Sequence, residues 1–543
     1  MEARLMLAFT LEAPSSFETA SSPYNLALSD FNGDAIPDAA VSAASGKISV
    51  LLGDGSGSFV KRADLTLGKL AYGVMAADFN GDSNVDLVAS DAASAKIGFF
   101  AGNGAGGFSA VVSSAFGSAA ASDATPQAFL AVADLNGDQK QDVLVMNDVD
   151  HEIDVMLNDG NGNFTKSGNI SLSGKDAGPI VSGDFNRDGK ADVAYARATD
   201  EGIFIQLGDG AGGFGSATTL AVSGQVDGLT VADLDADAKL DLAATHSDRT
   251  TAADKLGILL GKGDGTFKPV IDYSAGNDPF AVTAADFNGD HRPELVVTTL
   301  AQQVLVFQNK GDGTFAKPSV RDKAFSSMGS TQAVAVGDFD LDGKQDVALA
   351  ASSDATKSGG AVVALLSPAP PFAKLTSSGT LIGNGTNRKD VVSLTISGAR
   401  NLIVKTLYGE QSFRAVKVKR IQVTLKAGSD KLVIGVGVAA RATISGDSGR
   451  DTLMGGDDAE VIRGGAGADV IFGGGGDDWL SGDGGNDKID GGAGADHLFG
   501  GSGKDSFAAR DGFSDILAGD SGDDSAQLDK KLDRRSFLEH LLK

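Results

Sequence analysis

The fold of this chain is decided by a nine-residue motif whose first copy, DFNGDAIPD, occupies residues 30–38. Apolar runs flank the motif, and its general form is D-[FL]-[ND]-x-D-x-x-x-[DE]. It occurs seven times at intervals of 48 to 56 residues, with copies that start at Asp30, Asp78, Asp134, Asp184, Asp233, Asp286 and Asp338. Self-similarity at a period of about 50 residues is typical of a fold built from repeated modules.

A glycine-rich signature, such as GDGSGSF at residues 53–59, follows each of the first six copies. Its closing phenylalanines are Phe59, Phe108, Phe164, Phe214, Phe267 and Phe315. Between the two signatures lie short runs of Val, Ile, Leu and Ala bounded by Gly, Asp and Asn, which is the pattern of strands and turns. Seven repeats with about four strands each predict a seven-bladed β-propeller over residues 1–366. Because the seventh copy lacks the signature, we expect a strand from Leu7–Leu11, or from the stretch near Phe17, to close the ring.

A second repeat follows a proline-rich linker predicted at 367–372 and an irregular, β-helix-like lead-in predicted at 373–445. Over residues 446–508, seven consecutive nonapeptides keep one register. Their sixth residues are Asp451, Glu460, Asp469, Asp478, Asp487, Asp496 and Asp505, and their eighth residues are Leu453, Ile462, Ile471, Leu480, Ile489, Leu498 and Phe507. The region 446–525 is predicted to be a calcium-binding β-roll, and the tail 526–543 a short amphipathic helix. The predicted fold class is all-β, a seven-bladed β-propeller followed by a C-terminal parallel β-roll or β-helix.

The composition excludes several classes of function. Among 543 residues, 72 are acidic and 46 are basic, and the formal net charge is -26. This charge argues against binding of nucleic acid through its phosphates. The chain has no cysteine, which excludes a disulfide framework, thiolate zinc sites and cysteine nucleophiles. No run of apolar residues is long enough for a membrane span.

Oxygen-bearing side chains at positions one, three, five and nine of the nine-residue motif indicate a site for a hard cation. A tightly curled loop would bring them to one point, and position seven, whose side chain varies, would add its backbone carbonyl. Calcium is favoured over magnesium because magnesium demands stricter octahedral geometry. The predicted ligands are Asp30, Asn32, Asp34, Ile36 and Asp38; Asp78, Asn80, Asp82, Asn84 and Asp86; Asp134, Asn136, Asp138, Lys140 and Asp142; Asp184, Asn186, Asp188, Lys190 and Asp192; Asp233, Asp235, Asp237, Lys239 and Asp241; Asp286, Asn288, Asp290, Arg292 and Glu294; and Asp338, Asp340, Asp342, Lys344 and Asp346.

The EF-hand is rejected as an explanation of this motif, because its loop has glycine at position six, a glutamate at position twelve and flanking helices. Here glycine stands mostly at position four, as at Gly33 and Gly81, and the flanks read as strands. A polar turn without an ion explains a single copy equally well. Seven copies with the same four oxygen-bearing positions favour calcium. The Phe or Leu at position two is interpreted as a core anchor.

The nonapeptides match G-G-x-G-x-D-x-U-x, a β-helix repeat that binds calcium. Glycine permits the turn, the aspartate and the turn carbonyls face an ion between adjacent coils, and the apolar eighth residue faces the interior. The predicted ligands in the roll are Asp451, Asp469, Asp478, Asp487, Asp496 and Asp505. Glu460 replaces aspartate, so we expect its coil to bind calcium most weakly.

The seven copies and their glycine-rich signatures, over about 20–366, resemble the FG-GAP/VCBS repeats of integrin α-type β-propellers. The nonapeptides at 446–508 resemble the RTX, haemolysin-type repeats of secreted bacterial proteins. These resemblances imply an extracellular or cell-surface location and, commonly, type I export with an uncleaved C-terminal signal. Residues 1–8 are similar to a leader motif of planctomycete exported proteins, and no standard secretory signal is present. Type I export, an atypical leader and a missed upstream start are therefore all open.

No catalytic constellation is found in the sequence. The five histidines are isolated and no H-E-x-x-H occurs, and paired acids are too common here to indicate a glycosidase. We therefore expect a non-enzymatic, extracellular calcium-binding protein that mediates adhesion or surface interaction, with calcium-dependent folding. Its partner would be a cell-surface protein or polysaccharide. The alternatives are a lectin-like polysaccharide binder and a secreted polysaccharide-degrading enzyme with an RTX module.

One basic stretch stands out in this acidic chain. It is interpreted first as the solvated face of strands, and alternatively as a contact for an anionic surface polysaccharide. Its members are Arg400, Lys405, Arg414, Lys417, Lys419, Arg420 and Lys426.

Overall fold

The computed structural model describes residues 15–120, 126–198, 201–247, 254–321, 328–341, 343–353, 360–365, 373–386, 389–398, 401–406, 409–528, 533–536 and 540–541. Apart from one 3-10 turn, η1 at Ala415–Lys417, all regular elements of these residues are β-strands, so the all-β class is confirmed. None of them forms a helix long and apolar enough to cross a membrane. The chain divides into two compact units, Met1–Asp340 with Lys344–Pro368, and Leu341–Gly343 with Ala369–Lys543.

The first unit is a β-propeller, with one antiparallel four-stranded blade for each copy of the nine-residue motif. Blades one to three contain β2 Pro23–Ser29, β3 Asp38–Ala43, β4 Lys47–Gly53 and β5 Phe59–Thr66; β6 Ala71–Ala77, β7 Asp86–Asp91, β8 Lys96–Phe100 and β9 Val112–Ala115; and β10 Leu130–Ala133, β11 Asp142–Asn147, β12 Glu152–Asn158 and β13 Phe164–Ser171. Blades four and five contain β14 Ala177–Gly183, β15 Asp192–Arg197, β16 Glu201–Gln206, the shared long strand β17 Thr218–Ala232, β18 Asp241–Ser247, β19 Lys255–Leu259 and β20 Ile271–Ser274. Blade six contains β21 Pro279–Ala285, β22 Glu294–Thr299, β23 Val304–Phe307 and β24 Ser319–Arg321.

The seventh blade closes the ring with a strand from the start of the chain. It consists of β25 Met328–Gly337, β26 Asp346–Ser353, β27 Gly360–Leu365 and β1 Ser15–Thr19. β1 runs antiparallel to β27, with Phe17 opposite Val362. The closing strand predicted near Phe17 is therefore confirmed, whereas the alternative at Leu7–Leu11 lies outside the described residues.

The apolar core of the propeller lies between neighbouring blades. Each of seven buried clusters in the described residues draws side chains from two consecutive blades. One of them joins Val41 of blade one to Val362 of blade seven. Because every blade buries both faces against its neighbours, the strands that line these seams are apolar on both sides.

The second unit is a roll of two mainly parallel sheets. One sheet contains β28 Ala373–Leu375, β29 Thr380–Asn384, β33 Arg420–Thr424, β35 Arg441–Ser445, β37 Val461–Ala466, β39 Trp479–Gly484, β41 His497–Ser502, β43 Ile516–Ser521 and β45 Arg534–Ser536. The other contains β30 Val391–Ser397, β31 Asn401–Thr406, β32 Gly409–Arg414, β34 Lys431–Ile434, β36 Thr452–Met454, β38 Val470–Gly475, β40 Lys488–Ala493, β42 Ser506–Ala509, β44 Ser525–Leu528 and β46 His540–Leu541.

Successive nonapeptides alternate between these two sheets, so residues 18 apart lie side by side. Ile462 stands opposite Leu480 in one sheet, and Ile471 opposite Ile489 in the other. All eighth-position side chains are at most 2% exposed and belong to one apolar cluster, which confirms that this position faces the interior.

The two sheets extend beyond the nonapeptides at both ends. In the lead-in, β33 already pairs in parallel with β29 and β35. At the other end, β44 and β46 pair in parallel, and β45 pairs with β43. The helix predicted for the tail 526–543 is therefore wrong for the described part of that segment, because stacking on an existing sheet satisfies backbone groups that a short isolated helix would leave only marginally stable.

Candidate metal centres

The nine-residue motifs form the loops between the first and second strands of each blade, so the copy at 30–38 links β2 to β3. In all seven loops the residues at positions four and six have positive φ, for example 79° at Gly33 and 63° at Ala35. Side chains with a Cβ enter this region only at a cost, which explains why glycine prevails at position four. Arg187 occupies the same conformation with φ of 61°.

Position one of the motif organises its own loop. Oδ1 of Asp30 accepts the backbone N–H of Gly33 at 2.7 Å, and Oδ2 accepts that of Ala35 at 2.7 Å. Burial alone would raise the pKa of Asp30, but the backbone bonds to the ionised carboxylate outweigh it and lower the pKa. Bonds of the same kind are made by Asp78, Asp134, Asp184, Asp233 and Asp286.

Position nine is a buried acid that ties the loop to the strand beside it. Oδ2 of Asp38 accepts the N–H of Phe31, and Oδ1 accepts the N–H of Gly53, both at 2.8 Å. Burial raises the pKa of Asp38 to about 6 and that of Glu294 to about 7. A cation beside such a carboxylate would stabilise its charged form. The equivalent acids are Asp38, Asp86, Asp142, Asp192, Asp241, Glu294 and Asp346, all at most 1% exposed.

Three loops bring three carboxylates within 4.8 Å of one another. These groups are Asp134, Asp138 and Asp142; Asp233, Asp235 and Asp241; and Asp338, Asp340 and Asp346. At position three, an amide oxygen accepts the backbone N–H of position five, as Oδ1 of Asn32 does from Asp34 at 2.9 Å. Position seven donates its N–H to position five, as Ile36 does to Asp34 at 2.9 Å.

The position-seven lysines also contact the acid at position five. Nζ of Lys239 lies 2.7 Å from Oδ2 of Asp237, and Nζ of Lys140 lies 3.3 Å from Oδ2 of Asp138. Asp342 lies outside the described residues. The carbonyl of position seven and the other propeller ligands stay predictions.

The nine-residue loops also dock on the glycine-rich turn of the next blade where that blade has one. The ring of Phe31 packs edge-on against Phe108 at 5.4 Å, and the carbonyl of Phe31 accepts the N–H of Gly106 at 2.8 Å. The seventh loop makes the same contacts with blade one, where Phe339 lies 5.2 Å from Phe59. Position two is thus a core anchor, as predicted, and it is also the contact that joins neighbouring blades.

In the roll, the sixth-position aspartates form two ladders along the coils. From Asp469 onward, each uses Oδ1 to accept the backbone N–H of the acid 18 residues earlier, as Asp469 does from Asp451 at 2.7 Å. Asp487 and Asp505 continue this ladder at 2.8 Å. The second ladder runs through Glu460, Asp478 and Asp496, with bonds of 2.7 and 2.8 Å.

The second carboxylate oxygen of these aspartates is buried and, among the described residues, has no hydrogen-bond partner. This holds for Oδ2 of Asp451, Asp469, Asp478, Asp487, Asp496 and Asp505, and also for Oδ2 of Asp430, which precedes the nonapeptides. Burial raises the pKa of Asp451 to about 6 and the pKa values of Asp478 and Asp487 to about 7. A buried acceptor without a donor is costly unless a cation approaches it.

The surroundings of Oδ2 have the right chemistry for calcium. A Cβ placed on Gly473 would lie 2.3 Å from Oδ2 of Asp478 and 2.3 Å from the carbonyl oxygen of Gly491. The first glycine of the nonapeptide therefore leaves a cradle between a carboxylate and a carbonyl of a neighbouring coil. Equivalent cradles lie at Gly446, Gly464, Gly482 and Gly500. These oxygens are hard ligands, so the fit to a calcium ion shared between coils is good.

Glu460 breaks this arrangement. Its longer side chain turns Oε2 back to accept the N–H of Gly456 in its own coil at 2.9 Å. The oxygen that the aspartates hold toward the cradle is therefore already used. Weak calcium binding at this coil stays a prediction.

Comparison with known families supports both repeat types. The model described as FG-GAP-like repeat matches residues 30–89, 78–145, 134–195, 184–244, 248–297 and 286–349, more than half of the chain. The chain belongs to the FG-GAP-like repeat family. In this FG-GAP-like repeat protein, the RTX calcium-binding nonapeptide repeat matches 437–471, 445–480 and 472–507. RTX repeats bind calcium, and the proteins that carry them are typically secreted.

Solved structures resemble the FG-GAP-like repeat protein only distantly. A lectin of Agrocybe aegerita, studied for recognition of non-reducing terminal N-acetylglucosamine, is 19% identical, with 56% of this chain and 81% of that chain covered and a TM-score of 0.42. BBS1N in complex with ARL6DN is 14% identical over 68% and 100% of the two chains, with a TM-score of 0.46. Raptor of Chaetomium thermophilum is 12% identical over 66% and 30%, with a TM-score of 0.43. No curated protein matches the sequence, and these likenesses carry no functional argument.

Sequence reasoning missed several acids of the roll in this FG-GAP-like repeat protein. One ladder starts earlier than the nonapeptides, because Asp430 accepts the N–H of Asp390 at 2.7 Å and donates its own N–H to Asp451 at 2.8 Å. The same ladder continues beyond the nonapeptides through Asp524, and the second ladder continues through Asp515. A signal was present at residues 428–432, where GSDKL keeps the glycine, aspartate and apolar residue of the nonapeptide.

A further metal-type group lies in the propeller, outside the predicted loops. Carboxylates of Asp148 and Asp176 and a ring nitrogen of His151 lie within 4.8 Å of one another. His151 and Asp176 are partly exposed, with Nδ1 of His151 3.7 Å from Oδ1 of Asp176. No spacing rule in the sequence indicates this group.

Proposed function

We propose that this FG-GAP-like repeat protein is an extracellular calcium-binding protein, without catalytic activity, that mediates adhesion or surface interaction. The observation that carries the proposal is the ladder of buried aspartates in the roll, each with one oxygen held toward a glycine-lined cradle. Such a ladder is unfavourable without cations and rigid with them. The roll would therefore fold where calcium is plentiful.

The chemistry of the cradles suits calcium outside the cell. In the regular coils, one carboxylate oxygen and a glycine carbonyl line each cradle, as at Asp478 and Gly491. Calcium affinity rises with the number of charged ligands, and extracellular modules work at about 10⁻⁴–10⁻³ M. The RTX repeats and the typical secretion of proteins that carry them support the same location.

The propeller would supply the interaction surface. Its seven loops and their docked glycine turns form a rigid ring on which exposed loop residues can be presented to a partner. No residue of the described chain identifies that partner, so the test must work without naming it. The probe is intact cells of the producing organism. They are used untreated, after protease has removed their surface proteins, or after periodate has removed their glycans.

Cosedimentation with these cells tests the proposal. We expect the protein to sediment with untreated cells in millimolar calcium and to remain in the supernatant in chelator. The variant with Asp469→Asn and Asp487→Asn should need more calcium for the same binding, whereas Asp523→Asn, an exposed acid paired with Lys504 at 3.2 Å, should not. Equal sedimentation with and without calcium contradicts the proposal.

The exposed basic stretch of the lead-in favours an anionic polysaccharide as a second candidate partner. Lys417, Lys419 and Arg420 are all exposed. Arg420 stands beside Arg441 in the parallel sheet, so like charges are stacked along neighbouring strands. Such a stack is unfavourable alone and would be relieved by a polyanion.

Retention on immobilised acidic polysaccharide tests this candidate. Replacement of Lys417, Lys419 and Arg420 by glutamine should abolish retention at low salt, while replacement of the exposed propeller residues Lys96, Lys262 and Lys310 should leave it unchanged. Equal retention of the two variants would dispose of the polysaccharide site.

A further inference from the structure

The last coils of the roll depart from the nonapeptide period at one point. Sixth-position acids follow one another at nine residues up to Asp505, but the next ladder acid, Asp515, comes ten residues later. The additional residue lies in the turn between β42 and β43, which contains Asp511. The RTX match ends at residue 507, so this turn lies outside the recognised repeats.

The longer turn places a third carboxylate beside two ladder acids. Carboxylate oxygens of Asp496, Asp511 and Asp515 all lie within 4.8 Å of one another. Oδ1 of Asp515 accepts the N–H of Asp496 at 2.9 Å, which fixes the two coils in register. Oδ1 of Asp511 accepts the N–H of Phe513 at 2.9 Å, which closes a local turn at Asp511.

An independent observation points to a ligand at this cluster. Asp496 is 1% exposed, and its Oδ2 has no hydrogen-bond partner among the described residues. Oδ2 of Asp511 is also buried and likewise has no hydrogen-bond partner among the described residues. Two acids of one group thus each have a buried carboxylate oxygen without a donor, which a cation bound by the group would satisfy.

The cradle at Asp496 also differs from its neighbours. At the six other first-position glycines, a glycine carbonyl of a neighbouring coil lies 2.1 to 3.0 Å from the position of an added Cβ. At Gly491 the three nearest atoms all belong to Asp496. No carbonyl of a neighbouring coil is among these three atoms, so the cradle at Asp496 departs from the regular ones.

We propose that Asp496, Asp511 and Asp515 form a separate, high-affinity site for a hard cation of calcium size, distinct from the one-carboxylate cradles of the nonapeptides. Three carboxylates in place of one increase the attraction for the ion, and calcium affinity follows the charge of its ligands. The site would fill first as calcium rises and pin the end of the roll. The inference rests on the proposed calcium binding of the roll and is independent of any adhesive role.

Terbium and calcium titrations of the full chain test the site. Trp479, the only tryptophan, stacks on His497 at 5.2 Å, next in the chain to Asp496, so terbium bound there should be sensitised by its excitation. We expect a tight first phase in wild type. Asp511→Asn should remove that phase and lower by one the ions retained after gel filtration at low free calcium.

Asp523→Asn is the matched control, because it removes the same charge from an exposed acid of the roll that belongs to no such group. It should retain the tight phase. Persistence of the phase in Asp511→Asn, or its loss in both variants, overturns the proposal. Emission of Trp479 in saturating calcium verifies that each variant is folded.

Crystals of the wild-type protein grown in calcium provide a test that needs no variant. Anomalous density bound by all three carboxylates is expected at low calcium, before the nonapeptide cradles fill. Density in the cradles with none among the three carboxylates overturns the site, while leaving the calcium-dependent folding of the roll intact. Absence of density in both places would overturn both.

Discussion

The propeller loops and the roll use the same acids in opposite ways. In a propeller loop the carboxylates at positions one and nine are satisfied locally, as Asp30 is by N–H groups of its own loop and Asp38 is by N–H groups of Phe31 and Gly53. In the roll each sixth-position aspartate reaches another coil through Oδ1 and leaves Oδ2 without a donor among the described residues. The propeller can therefore hold its loops by hydrogen bonds, whereas the roll depends on ions between its coils.

This difference separates two roles for calcium. A propeller site would adjust a loop that is already formed and docked on the next blade. A roll site lies between strands 18 residues apart, so its ion contributes to the formation of the coil itself. Chelation, mutation and pH should consequently act unequally on the two units.

The largest effect should come from chelation. We expect EDTA to unfold the roll and to leave the propeller folded, because a structural ion contributes about 2.7 kcal/mol for each site at a hundredfold excess over Kd. Trp479, which is 46% exposed and stacked on Phe499 at 4.8 Å, reports on the roll alone. Its emission should shift in chelator while most far-ultraviolet β signal persists. Loss of both signals together would erase the distinction between the units.

The next largest effect should come from a position-nine acid. Asp142→Ala leaves two buried N–H groups without acceptors, those of Leu135 and Asn158. Each such group costs about 1–3 kcal/mol, so the propeller should lose about 2–6 kcal/mol of stability, with calcium or without it. Urea unfolding measured by circular dichroism in chelator is the test. The exposed neighbour variant Asp138→Asn should change little, and an Asp142→Ala effect seen only in calcium would show that the acid serves the ion alone.

A smaller effect should follow from filling one cradle. Gly473→Ala places a methyl group 2.3 Å from Oδ2 of Asp478, whereas Gly475→Ala in the same strand meets nothing closer than 3.7 Å. The first variant should bind one calcium ion fewer and require more calcium to fold. Calorimetric titration counts the ions. If the two variants behave alike, the cradle is not the site.

The smallest effect should be the pH dependence of the calcium-free roll. The folded pKa values of Asp478 and Asp487, about 7, lie above the ordinary value of 3.8. The folded state then binds more protons than the unfolded state between these values, so calcium-free stability is greatest at low pH and is lost as pH rises through about 7. Trp479 emission in EDTA at several pH values measures this, because the folded signal should return as the pH falls below about 7. In saturating calcium the trend should reverse, because the ion binds the ionised form.

The repeat pattern of the sequence predicted most of the fold. The nine-residue motif and the glycine-rich signature predicted seven blades, and a stretch near Phe17 as a closing strand. The nonapeptide register predicted which side chains face inward, since Leu453 and its equivalents repeat every nine residues along a coil. These features are local and repeated, so pattern alone reveals them.

The sequence by itself determined the two repeat types, the buried eighth position and the oxygen-rich character of both families of loops. Only the tertiary structure decided that the loop at Phe31 docks on the turn at Phe108, that roll aspartates divide their two oxygens between a neighbouring coil and a cradle, and that Asp430 and Asp511 join acids of other coils. Those contacts connect residues far apart in the chain. Their geometry depends on how blades and coils stack, which no single repeat contains.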